Sequence, residues 1–416
     1  MQNWKKSISL TLSSQAVSMF GSSLVQYAIV WYVARETNSG LMFSLITLSG
    51  FLPNVLISVF AGVWADRYSR KSIIILADAG IALVTLVLFF IIRSSDSFFI
   101  PLLVISAVRS VGSGIQSPAV TAIIPQIVPQ EKLMRVGGIN SSIMSIVNLA
   151  APAVAGAILS MGAIEHILLI DVATAAAGIG VFAFVPVPKL KKALERQKGG
   201  YLTDLKLGIR YGFKDPFVRS TLIVITVFAF LISPPALMNV LFVTRVFGDN
   251  YFYLTLNEIA FFIGATAGGL LLSAWGGFKN RIKTMVVGGL AAAVMTVAMV
   301  ITDIFWIYLA VMFITGIAVP FTESPLMVLV QEKVEQGMQG RVFSIMNMAM
   351  TLIMPLGMAL FGPLADAVPI QWLMVGSGIG QAAVAAAIYF WKRYYNQGVP
   401  GVKPPDNGLP ITESAQ

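Results

Sequence analysis

Five ionisable residues interrupt otherwise apolar stretches: Asp78, Arg109, Asp171, Glu258 and Glu323. In a hydrocarbon interior each such side chain costs about 2.5–3.5 kcal/mol on insertion scales, so each is a functional candidate by default. Glu258 is followed by Phe261 and Phe262 at i+3 and i+4. Acid and aromatic surface then share one helix face. That combination suits a lipophilic cation, attracted by the carboxylate and by the ring faces. The same acid can take up a proton, because burial disfavours the charged form of a carboxyl group. The alternative is a Glu held between helices by hydrogen bonds, with no coupling role. Glu323, in VPFTESPLM, stands between Pro320 and Pro325. Both prolines loosen the local helix, and the freed carbonyls with the carboxylate form a candidate proton or cation site. Otherwise Glu323 is a solvated residue near the inner interface.

Arg109 falls near the middle of an apolar run and needs an anionic partner. Spacing does not identify one; Asp171 and Asp78 are both open. Coupling or gating competes there with a static buried pair. Asp171, about one turn from the outer end of its helix, reads first as a cap or an interhelical hydrogen bond. Asp78 lies about two turns from a charged loop and reads first as its support, with coupling second. A polar stripe of Gln15, Ser18, Ser22 and Gln26 recurs at steps of three and four on the first apolar segment. It predicts a helix face toward a watery cavity, although interhelical hydrogen bonding alone would also produce it. Methionines at 346, 348, 350, 354 and 358 suit promiscuous binding. Lipid-facing packing is the expected reading for most of them. Gly264 and Gly268 form a GxxxG face, read here as close helix packing.

These residues are positioned by a strongly apolar chain. Of 416 residues, 57% are hydrophobic and 11% charged, against about 25% charged in soluble domains. The deficit marks a polytopic membrane protein. Twelve segments of spanning length are expected: 9–34, 41–64, 72–93, 98–120, 138–161, 166–186, 219–245, 251–275, 283–302, 305–329, 341–364 and 368–391. With both termini cytoplasmic, the inside segments carry 24 of the 28 Lys and Arg, and the outside loops only Arg35, Arg93 and Arg245. That asymmetry follows the positive-inside rule. Ser233-Pro234-Pro235 is expected to interrupt the seventh span as a discontinuous helix.

The longest loop, residues 187–219, holds nine basic residues. It includes KLKKALERQK, expected as an amphipathic helix on the anionic inner leaflet. It divides the chain into a first six-helix bundle (1–186), a basic cytoplasmic linker (187–218), a second six-helix bundle (219–392) and a disordered tail (393–416). The halves echo one another: Arg135-Val136 and Arg341-Val342 open corresponding segments, and Gly156 and Gly362 each lie 21 residues later. A parallel 6+6 repeat is the plan of a transporter with its substrate site between repeats.

There is no cysteine, and His166, in an expected outer loop, is the single histidine. Thiolate chemistry and a histidine metal site are therefore not expected. No phosphate-binding G-x-x-x-x-G-K-[ST] loop occurs, and HExxH and G-x-S-x-G are missing too. The chain is thus expected to be no enzyme, to carry no ATP engine and to hold no cofactor or metal. A proton would be the coupling ion. Expected partners are a small-molecule substrate and the lipid bilayer, with no nucleic acid, and a monomer is expected.

GVWADRYSRK, residues 62–71, is a charged island between two apolar runs. Gly62 would admit a neighbouring helix closely, Asp66 could cap a helix or pair with Arg70, and Arg67, Arg70 and Lys71 fix the loop inside. Together they read as a breakable latch between helix ends. The island resembles the signature loop of the major facilitator superfamily, which joins helices two and three. GGFKNRIK, residues 276–283, resembles a decayed copy lacking the Asp, and AVRSVGSGIQ resembles the family's fourth-helix arginine motif around Arg109. NWKK, SQAVS, Gln26 with Ala28-Ile29, GFLP, DRYSRK and ADAG, in that order, are similar to the macrolide-efflux branch. The resemblance implies an all-α fold of two six-helix bundles in a bacterial inner membrane. It also implies export of hydrophobic drugs driven by the proton gradient. AAPAVAGAI departs from the antiporter motif of the fifth helix, with Ala151 where a glycine precedes the proline, while Gly156 is kept. A symporter, or an exporter of a metabolite or siderophore on the same fold, is the alternative.

Overall fold

The structure is a computed structural model that describes residues 4–94, 98–161, 164–187 and 210–399, with the backbone alone at 59, 63, 66, 67, 93, 94, 336 and 337. The KLKKALERQK segment lies outside the described residues. Every regular element among them is a helix. In chain order these are α1 (Trp4–Thr37), α2 (Gly40–Arg67), α3 (Arg70–Ser94), α4 (Phe99–Ile127), α5 (Leu133–Ser160) and α6 (Ile164–Ala183). There follow α7 (Pro216–Leu237), α8 (Asn239–Phe247), α9 (Tyr251–Trp275), α10 (Arg281–Ile301), α11 (Phe305–Lys333), α12 (Gln336–Ala367), α13 (Ile370–Phe390) and α14 (Lys392–Tyr395). Twelve spans are long and apolar enough to cross a membrane, with α7 and α8 together forming the seventh. α6, a single helix of 20 residues, is about 30 Å long and equal to the hydrocarbon thickness. Several helices outrun the expected spans: α1 begins at Trp4, and α4 continues to Ile127. Apolarity marks where the chain meets lipid, whereas backbone hydrogen bonding carries the helix on into the polar zone.

The proline pair of the seventh span shows how an apolar interior repairs a helix. Pro234 and Pro235 cannot donate to the carbonyls of Phe230 and Leu231 four residues back. The Ser233 hydroxyl donates to the Phe230 carbonyl at 2.7 Å, and the Ser377 hydroxyl of α13 donates to the Leu231 carbonyl. With both freed acceptors satisfied, the helix runs on through the prolines and breaks three residues later, at Met238. The interruption is thus displaced from the expected site.

The chain divides into two compact units. The first holds the described residues within 1–196, 238–259 and 358–370; the second holds those within 197–237, 260–357 and 371–416. In the first, α2 packs on α4, α1 on α6, and α3 on both α4 and α6. Its apolar clusters include Ala65, Ile74, Ala119, Ile123 and Phe182. In the second, a cluster of Phe217, Ile225, Val286, Leu329, Met346 and Tyr394 forms the core. There the GxxxG face is a packing surface: a Cβ on Gly264 would fall on the Phe313 carbonyl, and one on Gly268 on the Ile317 carbonyl. Glycine lets α9 and α11 meet backbone to backbone.

The expected disordered tail begins too early. Residues 392–395 form α14 and 396–398 a 3-10 turn. Tyr394 is fully buried, stacks on Phe217 with ring centroids 6.1 Å apart, and its hydroxyl lies 3.1 Å from Thr221 Oγ1. Two aromatic rings and a hydrogen bond outweigh the polar composition that suggested disorder. Residues 400–416 lie outside the described residues. Tyr394→Ala is expected to cost about 3 kcal/mol by leaving a cavity, and Tyr394→Phe about 1 kcal/mol. Thermal unfolding of the purified protein in detergent checks both.

Candidate functional site

The buried charges of the first unit form two layers across four helices. Asp78 and Thr85 on α3 are seven residues apart, as are Arg109 and Gln116 on α4. Two helical turns place each pair on one face. The helices run antiparallel, so a step of seven up α3 matches a step of seven back along α4. In one layer Asp78 Oδ1 accepts from Ser18 Oγ of α1 and from Gln116 Nε2, both at 2.8 Å. In the other, Arg109 Nη1 donates to Asp171 Oδ2 of α6 at 2.5 Å and also to Thr85 Oγ1. The Thr85 hydroxyl lies 3.0 Å from Asp171 Oδ2 and 2.9 Å from the Ile81 carbonyl, with one proton for either.

The Arg109 and Asp171 side chains are only 9% and 1% exposed. The question left open by spacing is settled: the partner of Arg109 is Asp171, and Asp171 makes interhelical hydrogen bonds within an ion pair, as one of its two readings held, rather than a cap. It also sits two turns into α6, not one. The pair is incomplete, because Asp171 Oδ1 has no hydrogen-bond partner among the described residues. Asp78 is held by two neutral donors, away from the loop it was expected to support. An acid with neutral partners can gain or lose a proton without breaking an ion pair.

The polar stripe of α1 divides. Gln15 and Ser18 are buried within the first unit, and Gln15 Nε2 has no partner among the described residues. Ser22 is half-buried and Gln26 exposed. Ser18 thus serves the Asp78 layer instead of lining open water.

In the signature loop, Arg70 Nε donates to the Ala65 carbonyl at 3.0 Å and Nη1 to the Ala122 carbonyl at 2.7 Å. Lys71 Nζ donates to the Ala183 and Val185 carbonyls at 2.7 and 2.8 Å. These cations sit near the carbonyl ends of α2, α4 and α6, where unsatisfied acceptors and the helix dipole favour positive charge. They tie helix ends within one unit. The side chains of Asp66 and Arg67 lie outside the described residues. The expectation for Gly62 is corrected: no described atom comes within 4 Å of where its Cβ would stand. Among the described residues, glycine there accommodates no close helix contact.

The second unit contains a cavity of about 300 Å³. Phe228, Ile232, Phe261, Met350 and Met354 supply much of its wall, and among the described residues Glu323 is its only ionisable lining residue. Glu323 is exposed to this space. Among the described residues it has no hydrogen-bonding or ion-pair partner. The lipid-facing expectation for the methionines is overturned for four of them. Met350 and Met354 line the cavity, while Met346 and Met358 are buried in protein. Methionines recur all round α12, so their spacing gives no clue in sequence to which face meets protein.

Phe261 lines the cavity and Phe262 does not, although their rings meet edge to face at 5.6 Å. Glu258 belongs to the first unit, within electrostatic reach of the Tyr27 hydroxyl. His166 is exposed in the first turn of α6 rather than in a loop.

Comparison with known proteins agrees with this architecture. The chain is 29% identical to macrolide efflux protein A of Streptococcus pyogenes over 381 residues, covering 90% of this chain and 93% of that one. It is 24% identical to the staphyloferrin A transporter of Staphylococcus aureus (strain NCTC 8325 / PS 47), covering 92% of this chain and 95% of that one. In three dimensions it is similar to a bacterial homolog of the human lysosomal transporter Spinster, with TM-score 0.72 and 18% identity. That likeness covers 96% of this chain and 99% of the other. Residues 11–358 match the family model of the Major Facilitator Superfamily, and the chain belongs to that superfamily of multi-pass membrane transporters.

Proposed function

We propose that the protein exports hydrophobic or cationic small molecules of the macrolide-like drug class from the bacterial cytoplasm. The proton gradient drives it by alternating access, and no cofactor is required. It works as a single chain in the inner membrane with both termini in the cytoplasm. The observation that carries this proposal is the cavity of the second unit: a wall of aromatic and thioether groups with one unpartnered carboxylate, Glu323. Such a site takes an apolar body by burial and a positive charge by Coulomb attraction. The similarity to macrolide efflux protein A supports the direction and the class of cargo. A proton on Glu323 or on Glu258 and a cationic cargo compete for one negative charge. That competition is the simplest way to exchange the two. Asp78, held by Ser18 and Gln116, is a further acid available to the proton path, beside the Arg109–Asp171 pair.

The similarity to the staphyloferrin A transporter supports a second proposal, export of a metabolite or siderophore on the same fold. The cavity disfavours a polyanionic cargo, because its one charged group is itself an anion.

Inverted membrane vesicles loaded with a pH-sensitive dye test both. After energisation, macrolides and lipophilic cations are added one at a time to wild type, Glu258→Gln and Glu323→Gln. Proton release evoked by a drug in wild type and abolished in one variant is the expected result, and it names the coupling acid. Silence with every drug, followed by a signal with a siderophore-like compound, overturns the drug-export proposal.

A further inference from the structure

At the end of the first unit opposite the N-terminus, the turn between α1 and α2 is tied to two segments far along the chain. Asn38 has φ +46°, a left-handed conformation that asparagine tolerates better than most residues. Its carbonyl accepts from Arg245 Nη2 at 2.8 Å, and its side-chain Oδ1 accepts from Arg245 Nε at 3.1 Å. Arg245, in the last turn of α8, also reaches the end of α12. Nη1 donates to the Ala365 carbonyl at 2.6 Å, and Nη2 to Asp366 Oδ1 at 2.8 Å. Asp366 in turn accepts the Gly40 and Leu41 backbone N–H groups at 2.6 and 2.9 Å and the Ser39 hydroxyl at 2.9 Å. Those amides open α2, where free donors and the helix dipole favour an anion. Beside this cluster Arg35 pairs with Asp249 at 3.4 Å and covers the Tyr251 ring.

Below the cluster, α2 and α12 touch through small residues. A Cβ on Gly40 would fall on the Gly362 carbonyl, and a Cβ on Gly362 would fall on Ser44. The repeat-related contact is made by Gly156 of α5, where a Cβ would fall on Thr255 of α9. The two glycines that hold equivalent places in the halves of the sequence thus make equivalent seams.

We propose that Arg245 and Asp366, clasping the 38–41 turn, form the latch that holds the outer mouth shut and that opens once in each transport cycle. This rests on the alternating-access reading and adds the residues that regulate it. The clasp joins the first half of the sequence to the second, so an outward opening has to part it. Its side chains are 19% and 35% exposed, so water can replace each hydrogen bond as it breaks. The buried Arg109–Asp171 pair has no such replacement. The small residues beneath the clasp separate without withdrawing long side chains from pockets.

The chain contains no cysteine, so a single Ser44→Cys reports alone. Ser44 is buried in the seam, at 1% exposure. Its modification by a membrane-impermeant maleimide added outside right-side-out cells measures how often the mouth opens, and no substrate need be known. Asp366→Asn and Arg245→Gln are each expected to raise the labelling rate at least about fivefold, the low end of ordinary coupling energies. Ser39→Ala, which removes one hydrogen bond of the clasp and the cap that the same hydroxyl gives Met42 N–H, leaves the Arg245–Asp366 pair in place and raises it less. Arg281→Gln breaks an ion pair of the second unit, Arg281–Glu332, and is expected to leave the rate unchanged. Unchanged labelling in the clasp variants overturns the latch, and so does an equal rise in Arg281→Gln. A silent drug assay with labelling as expected would fault the cargo and leave the latch standing.

Discussion

Asp171→Asn is expected to destabilise the protein by about 3–5 kcal/mol, the cost of leaving Arg109 charged and uncompensated in a buried site. The Arg109 side chain is 9% exposed and its guanidinium bonds both Asp171 and Thr85, so bulk solvent is poorly placed to take over from the carboxylate. Detergent-solubilised Asp171→Asn should unfold at markedly lower temperature, and Arg109→Met should behave similarly because a bare buried carboxylate remains. The double variant Arg109→Met with Asp171→Leu should recover most of the loss, since apolar groups of similar volume often replace a buried pair without cost. Thr85→Ala removes a single neutral hydroxyl and should cost about 1 kcal/mol. The double variant separates two roles. If it is stable and still transports, the pair is architectural. If it is stable and fails to couple, the pair takes part in the proton path beside Asp78. A fully stable Asp171→Asn would mean that Arg109 does not rely on this carboxylate.

Glu323→Gln is expected to weaken binding of a lipophilic cation such as tetraphenylphosphonium at least about tenfold, or 1.4 kcal/mol. A neutral triaryl compound of similar size should bind both proteins alike. The reason is the composition of the cavity, where Glu323 is the only ionisable lining group among the described residues, and the neighbouring Thr322 offers only a neutral hydroxyl, which donates to the Val319 carbonyl. Phe228 and Phe261 offer ring faces that help desolvate the charge and attract it. Fluorescence competition or calorimetry on purified protein reads the difference. Equal losses for the cation and the neutral compound would show that Glu323 shapes the wall without contributing charge. No loss for either would move the binding site elsewhere.

Both expectations depend on features that differ in how far the sequence alone reveals them. Apolar run length and basic-residue asymmetry are one-dimensional properties, and twelve spans follow from them because lipid imposes one thickness on every helix. The loop GVWADRYSRK is a contiguous motif, so it pointed to the superfamily without any folding. The five intramembrane charges were equally visible, because each is costly wherever its helix faces.

Partners were not visible, since they depend on which helices become neighbours. Arg109 meets Asp171 and Asp78 meets Gln116 only once α3 packs beside α4 and α6. The matched steps of seven at 78/85 and 109/116 were a signal available in the sequence, readable only by assuming that packing. Arg245 passed as a topology marker and Asp366 was not singled out, because their significance lies in 207- and 326-residue separations from the turn they hold. The methionine faces of α12 and the burial of Tyr394 were decided the same way. The sequence by itself determined what must enter the membrane, through local hydrophobicity. The tertiary structure alone decided which polar groups find one another there, because in hydrocarbon each must be satisfied by whichever helix stands beside it.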